Sequence, residues 1–475
     1  MRLLTFAGGF KSAERKNEET ISYNTVQDEH EAYGVSRWLE LVVLHRGLGF
    51  FGCTAQHSFV LRCVIGIGAM SETNTVASLV KRVESDGPIF EVSNGLLGVF
   101  CPATVTDIEA ANSKNATLPH RLSDFLPGQR HQEPPLWTDI RQALQIRSRQ
   151  QNCRKFLEPL HRRMRASLDL ATNANADQDL TMLVGKMISE SLIPLVVDGM
   201  GRKCAQAVER DRIHKVETMI SNAHATSGLS DKLKEALIQI SAGRAIKAHM
   251  VKLRNGSVRQ RDDFARAVLD FDENLTADRA AYLVTTILTA IVGAPGTVAA
   301  GALFELIRHP HWADMIAEEF RSLSEDELYD DLPRSVPIAH QFAREVLRLW
   351  SFPLITVRRA SCPIEVRDFS VAEDGHYCLS SYVTHHNRQF WDNAEHFDPE
   401  RWSSRKTVKE NGAYVPFGWA PRTCPGAALG LSQLLLFMQL MTVEYAVRLK
   451  DPHKLQKKLD GLALPQGLFG QVVRR

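Results

Sequence analysis

Apolar positions recur at helical spacing over most of the chain, and one stretch is apolar on every side. Residues 282–307 carry only Thr, Gly, Pro and one late acid, Glu305, among their hydrophobic side chains. A run of that length reads first as a membrane span; the alternative is a helix buried all round in a large core. Shorter periodic segments predict helices over 76–85, 137–150, 156–170, 180–197, 312–323 and 338–350, a further pair inside 208–253, and a long final helix over 427–447. Runs at 88–92 and 96–100 flank Ser93-Asn94-Gly95 and predict a small hairpin, and a second hairpin is expected around 462–469. The polar, proline-bearing stretch 112–135 reads as a loop over a pocket. The expected fold class is mainly α, a large helical domain with a small β-rich N-terminal part.

Composition narrows the function classes. The 475 residues hold 57 Lys+Arg against 55 Asp+Glu, a formal net charge of +2, which argues against nucleic acid as a general partner. Length alone allows two to three ordinary domains or one large catalytic unit. Eight cysteines without repeated spacing suit reduced thiols in a cytoplasmic setting. Residues 1–72 stand apart as an N-terminal extension of unknown role, ahead of a body over 73–475. Its apolar patches at 41–70 are interrupted by His45, Arg46, His57 and Arg62, which breaks any span of about 20 residues. The early apolar stretch 3–10 is too short for a secretory signal and no small-residue cleavage pattern follows it. Residues 38–51 could make a peripheral membrane contact, cover an apolar patch of the body, or belong to a loosely packed extension.

The densest chemistry lies in Pro416-Phe417-Gly418-Trp419-Ala420-Pro421-Arg422-Thr423-Cys424-Pro425-Gly426, one cysteine in a glycine-flanked loop just before an apolar helix. A thiolate needs nearby positive charge or backbone N–H donors. Arg422 and the helix start after Gly426 offer both, so Cys424 is a candidate metal ligand. A buried structural thiol is the plainer alternative. Zinc is disfavoured because no C-x-x-C or His/Cys spacing surrounds the loop.

In register, Phe417, Arg422, Cys424 and Gly426 resemble the F-x-x-G-x-R-x-C-x-G haem loop of the cytochrome P-450 superfamily, with Ala420 replacing the usual glycine. Four further segments follow that family's order. Glu345-Val346-Leu347-Arg348 resembles its E-x-x-R helix, and i,i+3 spacing puts both charges on one face. Phe397-Asp398-Pro399-Glu400-Arg401-Trp402 resembles the meander whose arginine completes a buried structural triad, here Glu345, Arg348 and Arg401. Trp137-Thr138-Asp139-Ile140-Arg141 resembles W-x-x-x-R, whose indole and guanidinium hold a haem propionate. Arg358, with Arg359 as the competing choice, sits where the family places another propionate arginine; the planar fork of arginine suits carboxylates. The run 282–307 then becomes the central helix. Its oxygen-binding stretch, [AG]-G-x-[DE]-T in the family, reads Gly293-Ala294-Pro295-Gly296-Thr297. The threonine is kept, Gly296 stands where the acid belongs, and Pro295 removes an N–H, so a kink is expected.

The resemblance implies haem b, with Cys424 as axial ligand, Thr297 in oxygen activation, and Trp137, Arg141, Arg358 and Arg422 on the propionates. It implies a monooxygenase that inserts one oxygen atom into a hydrophobic small molecule, of the kind used in secondary-metabolite tailoring. Loss of the acid leaves open an isomerase or lyase working on a peroxide substrate, although Thr297 speaks against it, and a haem-binding protein without turnover. The resemblance implies that electrons come from a separate acidic ferredoxin or flavodoxin-like protein, or from peroxide. The basic segment with Arg147, Arg149, Arg154, Lys155, Arg162 and Arg163 is the expected docking face for it, against a solvated helix face as the plainer reading.

Overall fold

Helical periodicity and alternating strands sort the chain into two layers that meet at the cysteine loop. The computed structural model describes residues 76–93, 95–113, 137–221, 229–330, 332–403 and 412–475; the extension 1–72 and residues 114–135 of the expected pocket loop lie outside them. Helix α1 (Val76–Asp86) is followed by the predicted hairpin, β1 (Ile89–Ser93) and β2 (Leu96–Val99), paired antiparallel. Helix α2 (Pro102–Ser113) comes next, so Asn112 and Ser113 end a helix rather than open a loop. The core helices are α3 (Trp137–Gln151), α4 (Arg154–Ala174), then β3 (Gln178–Asp179), α5 (Leu180–Val196), α6 (Arg202–Ser221) and α7 (Leu229–Arg254). They continue with α8 (Phe264–Phe271), α9 (Ala277–Arg308), α10 (Pro310–Arg321), α11 (Leu332–Ser335) and α12 (Pro337–Leu349).

The sheet elements β4 (Thr356–Arg359), β5 (Ile364–Val366), β6 (Phe369–Val371) and β7 (His376–Leu379) lead to α13 (Ser381–His385). A four-stranded sheet then forms in the order β1-β2-β7-β4. The β-rich part is therefore not N-terminal alone, since half its strands come from the later chain. Strand alternation sends Phe90, Val92 and Leu96 to the α1 face, and Ile89, Leu97 and Tyr377 to the face covered by α2 and Trp419.

Two expectations at the C-terminal end change. The final helix, α14 (Ala427–Gln439), ends in a π-helical turn at Leu440–Glu444, and Tyr445 opens strand β8 (Tyr445–Leu449). Aromatic and β-branched Tyr445 and Val447 favour the ladder, where they pair with β11 (Phe469–Arg474), Val447 opposite Val472. The terminal hairpin is β9 (Gln456–Asp460) with β10 (Leu462–Gln466), turning at Gly461 with φ +70°. Residues 462–469 are thus split between two sheets, and Asp460-Gly461 was the turn signal.

The apolar run is the single helix α9, capped by Thr276 and unbroken through Pro295. Most of it is buried: 61% of its most apolar window lies inside the protein, as does 67% of that in Ala427–Glu444, the other helix of spanning length among the described residues. Helices α5, α7 and α14 pack around it.

The predicted triad is formed. Arg348 donates to both oxygens of Glu345 at 3.0 and 2.7 Å, and Arg401 Nε donates to Glu345 Oε1 at 3.0 Å. Trp402 Nε1, which sequence reading did not include, donates to Glu345 Oε2 at 3.0 Å. Arg348 also reaches the carbonyls of His385, Ala394 and His396. His385 carries the link onward: Nδ1 bonds the Arg348 carbonyl and Ser351, and Nε2 accepts the Val415 N–H at 2.9 Å, just before the cysteine loop. Burial pushes His385 down to about 3, so it stays a neutral linker at ordinary pH.

Removing Glu345 leaves buried Arg348 and half-buried Arg401 without their shared carboxylate. We expect Glu345→Ala to lose about 3–5 kcal/mol of stability, read by chemical denaturation of the holoprotein; a loss below about 1 kcal/mol would show that the triad does not anchor the loop.

Candidate functional site

Backbone geometry shapes the loop around Cys424. Gly418 has φ +79°, a conformation that favours glycine, and its N–H donates to the Val415 carbonyl at 3.0 Å. Cys424 N–H donates to the Phe417 carbonyl at 2.7 Å, which closes the loop, and Gly426 opens α14. A Cβ on Gly426 would lie 3.8 Å from Cys424 Sγ, an ordinary contact. Phe417 packs against the main core.

Cys424 has exposed surface although protein encloses the loop on most sides, and that enclosure pushes its thiol pKa up. The opposing pull comes from the Gly426 N–H and from Arg141. Arg422 was expected to supply the charge; Arg141, on α3, supplies it instead.

Three guanidiniums gather in this region. Burial, then the Cys424, Arg358 and Arg422 charges, set the pKa of Arg141, which falls to about 10. Burial and Arg358 also lower Arg422. Arg358 Nε donates to Glu109 Oε2 at 3.3 Å, and Glu109 is the carboxylate that faces all three. Arg422 Nε is buried without a partner. Arg359 turns outward to Asp374 at 2.5 Å, leaving Arg358 as the inward arginine. The side chain of Trp137 lies outside the described residues, although its backbone begins α3. An excess of positive charge beside a loop cysteine suits a ligand that brings two carboxylates and a metal accepting a thiolate. Haem meets that requirement.

On α9, Thr297 is buried and its hydroxyl donates to the Gly293 carbonyl at 3.0 Å. The hydroxyl satisfies the carbonyl of the preceding turn, and no break in the helix is seen at Pro295. A Cβ on Gly293 would meet the Phe352 ring at 3.0 Å and Met219 Sδ at 3.6 Å, so the wall here is apolar. A Cβ on Gly296 would stand 2.9 Å from Gly185 Cα, which is backbone of α5. Gly185 is itself pressed by Ile220 and Val216 of α6. The missing acid thus has a packing cause: α5 and α9 cross in backbone contact at Gly185 and Gly296.

Part of the basic segment is paired with acids. Arg154 bonds Glu158 and Asp326, Lys155 bonds Asp262 at 2.6 Å, and Arg165 bonds Glu444 at 2.7 Å. Arg163 donates to the Ser191 carbonyl. Arg154 and Lys155 do not present the free charge that was expected of them, because acidic side chains from α4, the segment after α10 and the segment before α8 meet them.

The model of the family described as Cytochrome P450 matches residues 128–470. The chain belongs to the cytochrome P450 family. Its cofactor is haem iron. Among solved structures, this P450 is similar to the cytochrome P450DA heme domain, with a TM-score of 0.63 and 19% identity over 84% of this chain and 93% of the other. It is also similar to cytochrome P450EX alpha with myristic acid, TM-score 0.64 and 16% identity over 85% and 96%. At these identities the likeness shows the fold. Among curated relatives, a germacrene A hydroxylase of Helianthus annuus is 25% identical over 55% of this chain and 49% of its own. A steroid 17-alpha-hydroxylase/17,20 lyase of Cavia porcellus is 26% identical over 41% and 39%. The chain spans about half or less of the length of the curated relatives it matches.

The helix crossing generates a test. Gly296→Ala should cost about 1–3 kcal/mol through overpacking, and Gly296→Asp should cost at least as much without giving α9 a working proton donor. Parent-like thermal stability in Gly296→Asp would contradict the crossing.

Proposed function

We propose that this cytochrome P450 is a haem-thiolate monooxygenase that inserts one oxygen atom of dioxygen into a hydrophobic small molecule, in secondary-metabolite tailoring. The observation that carries the reading is the juxtaposition of Cys424 with Arg141, Arg358 and Arg422 in one enclosed region. In this assignment Cys424 would ligate the haem iron, and Trp137, Arg141, Arg358 and Arg422 would hold the propionates. Bound haem supplies the oxidising chemistry, tuned by its thiolate ligand. Relatives named for the hydroxylation of germacrene A and of a steroid support an apolar substrate. So does the apolar wall made by Phe352 and Met219 beside Gly293.

Thr297 is the hydroxyl placed to hand on a proton. At rest it donates to the Gly293 carbonyl; turned from it, the same O–H can donate to a reacting oxygen and be replenished by ordered water. Gly296 cannot take part, because its side-chain direction is filled by α5. Electrons come from a separate ferredoxin or flavodoxin-like donor in a cytoplasmic setting. With Arg154 and Lys155 already paired, reversing their charge should matter less to that docking than a free basic patch would require.

Two measurements test the assignment. The ferrous carbon-monoxide complex should show the red-shifted Soret band of a thiolate-ligated haem, and Cys424→Ser should lose it; an unchanged band in the variant removes Cys424 as ligand. Thr297→Ala should divert reductant to hydrogen peroxide and cut product formation by about 10²–10⁴. Undiminished turnover on a peroxide substrate without reductant would favour the isomerase or lyase reading instead.

A further inference from the structure

We infer that Glu109, on α2, is a built-in carboxylate of the cofactor site: a positioning residue that aims Arg358 at a haem propionate and offsets part of the guanidinium charge around the haem. The inference rests on the reading that Arg141, Arg358 and Arg422 hold the propionates.

Sequence gave Glu109 no distinction, because it lies in a helix of mixed composition. The structure buries it to 1% exposure and surrounds it with donors. Arg358 Nε donates to one oxygen at 3.3 Å and the Tyr377 hydroxyl to the other at 2.7 Å. Tyr377 is held in turn by Asn112 Nδ2 at 2.8 Å, and Asn112 also donates to the Arg359 carbonyl at 3.1 Å and accepts the Ser361 N–H at 2.6 Å. The register explains the assembly. Arg358 of β4 stands opposite Tyr377 of β7, so both face the same side of the sheet, where α2 lays Glu109 and Asn112 across them. Burial and Glu109 raise the Tyr377 hydroxyl above its ordinary range, so it remains a donor.

The arrangement has a chemical use. With Nε fixed on Glu109, the two terminal nitrogens of Arg358, which have no acceptor among the described residues, are held in one orientation for a carboxylate. A fixed fork loses less freedom on binding than a mobile one. Arg141, Arg358 and Arg422 repel one another, and Glu109 is the carboxylate within reach of all three. One negative charge in this enclosed cluster also favours the ferric over the ferrous state.

The test uses the holoenzyme and three variants. Glu109→Gln keeps the shape and removes the charge. It should speed haem transfer to a haem-scavenging apoprotein by about 10–100-fold, the range for partners that orient cofactor-binding groups, and shift the ferric/ferrous midpoint potential to a more positive value. Tyr377→Phe keeps the Glu109 charge but loosens its hold; it should speed release with little change in potential. Arg358→Ala tests the underlying reading, since parent-like release from that variant would mean that Arg358 holds no propionate. If Arg358→Ala releases haem faster while Glu109→Gln keeps the parent potential, only the Glu109 proposal is overturned. If Glu109→Gln cannot be recovered folded, parent-like release from Tyr377→Phe overturns it.

Discussion

A buried carboxylate must find donors on every side, and the way Glu345 finds them orders much of this protein. Arg348 comes from its own helix one turn on, and Arg401, Trp402 and the Asp398 N–H from the meander. Arg348 pairs the carboxylate within α12, and the other three donors tie the meander to that helix. Removing a member of the charge cluster would cost several kcal/mol, so the cluster couples the meander to α12. Through Arg348 the constraint reaches His385, and through His385 it reaches Val415 at the mouth of the cysteine loop. A loop with a positive-φ glycine and an exposed cysteine is thereby held by a hydrogen-bond chain that starts in the core.

The central helix shows packing and chemistry competing for the same position. Helices that cross in backbone contact need glycine on both sides, and Gly185 and Gly296 meet that need. The family's acid would stand where α5 already lies. Thr297, one residue on, points elsewhere and keeps its hydroxyl. The close crossing therefore leaves no room for an acidic side chain at 296, while Thr297 keeps its hydroxyl on the Gly293 carbonyl.

Local signals made the long helices, the Ser93–Leu96 hairpin region and the triad legible before any coordinates. Periodicity over ten or more residues and fixed i,i+3 spacing are properties of sequence. The cysteine loop was legible for the same reason, being contiguous. What stayed hidden depends on contacts far apart in the chain. Glu109 gains meaning only when β4 and β7 pair beneath α2, and Arg141 replaces Arg422 beside the thiol only once α3 is docked. Asp326, which meets Arg154, and Asp262, which meets Lys155, lie more than a hundred residues away, so a local count of charges missed them. The final helix was read too long because an apolar run does not say where β-pairing with Val472 takes over.

Everything at the site turns on one claim, that the cysteine loop and the arginine cluster together bind haem through Cys424. X-ray absorption at the iron edge of the ferric holoenzyme tests it most directly, by reporting which atoms ligate the metal. The account predicts a sulfur neighbour in the parent that is lost in Cys424→Ser. Iron coordinated by nitrogen and oxygen alone in the parent would contradict it.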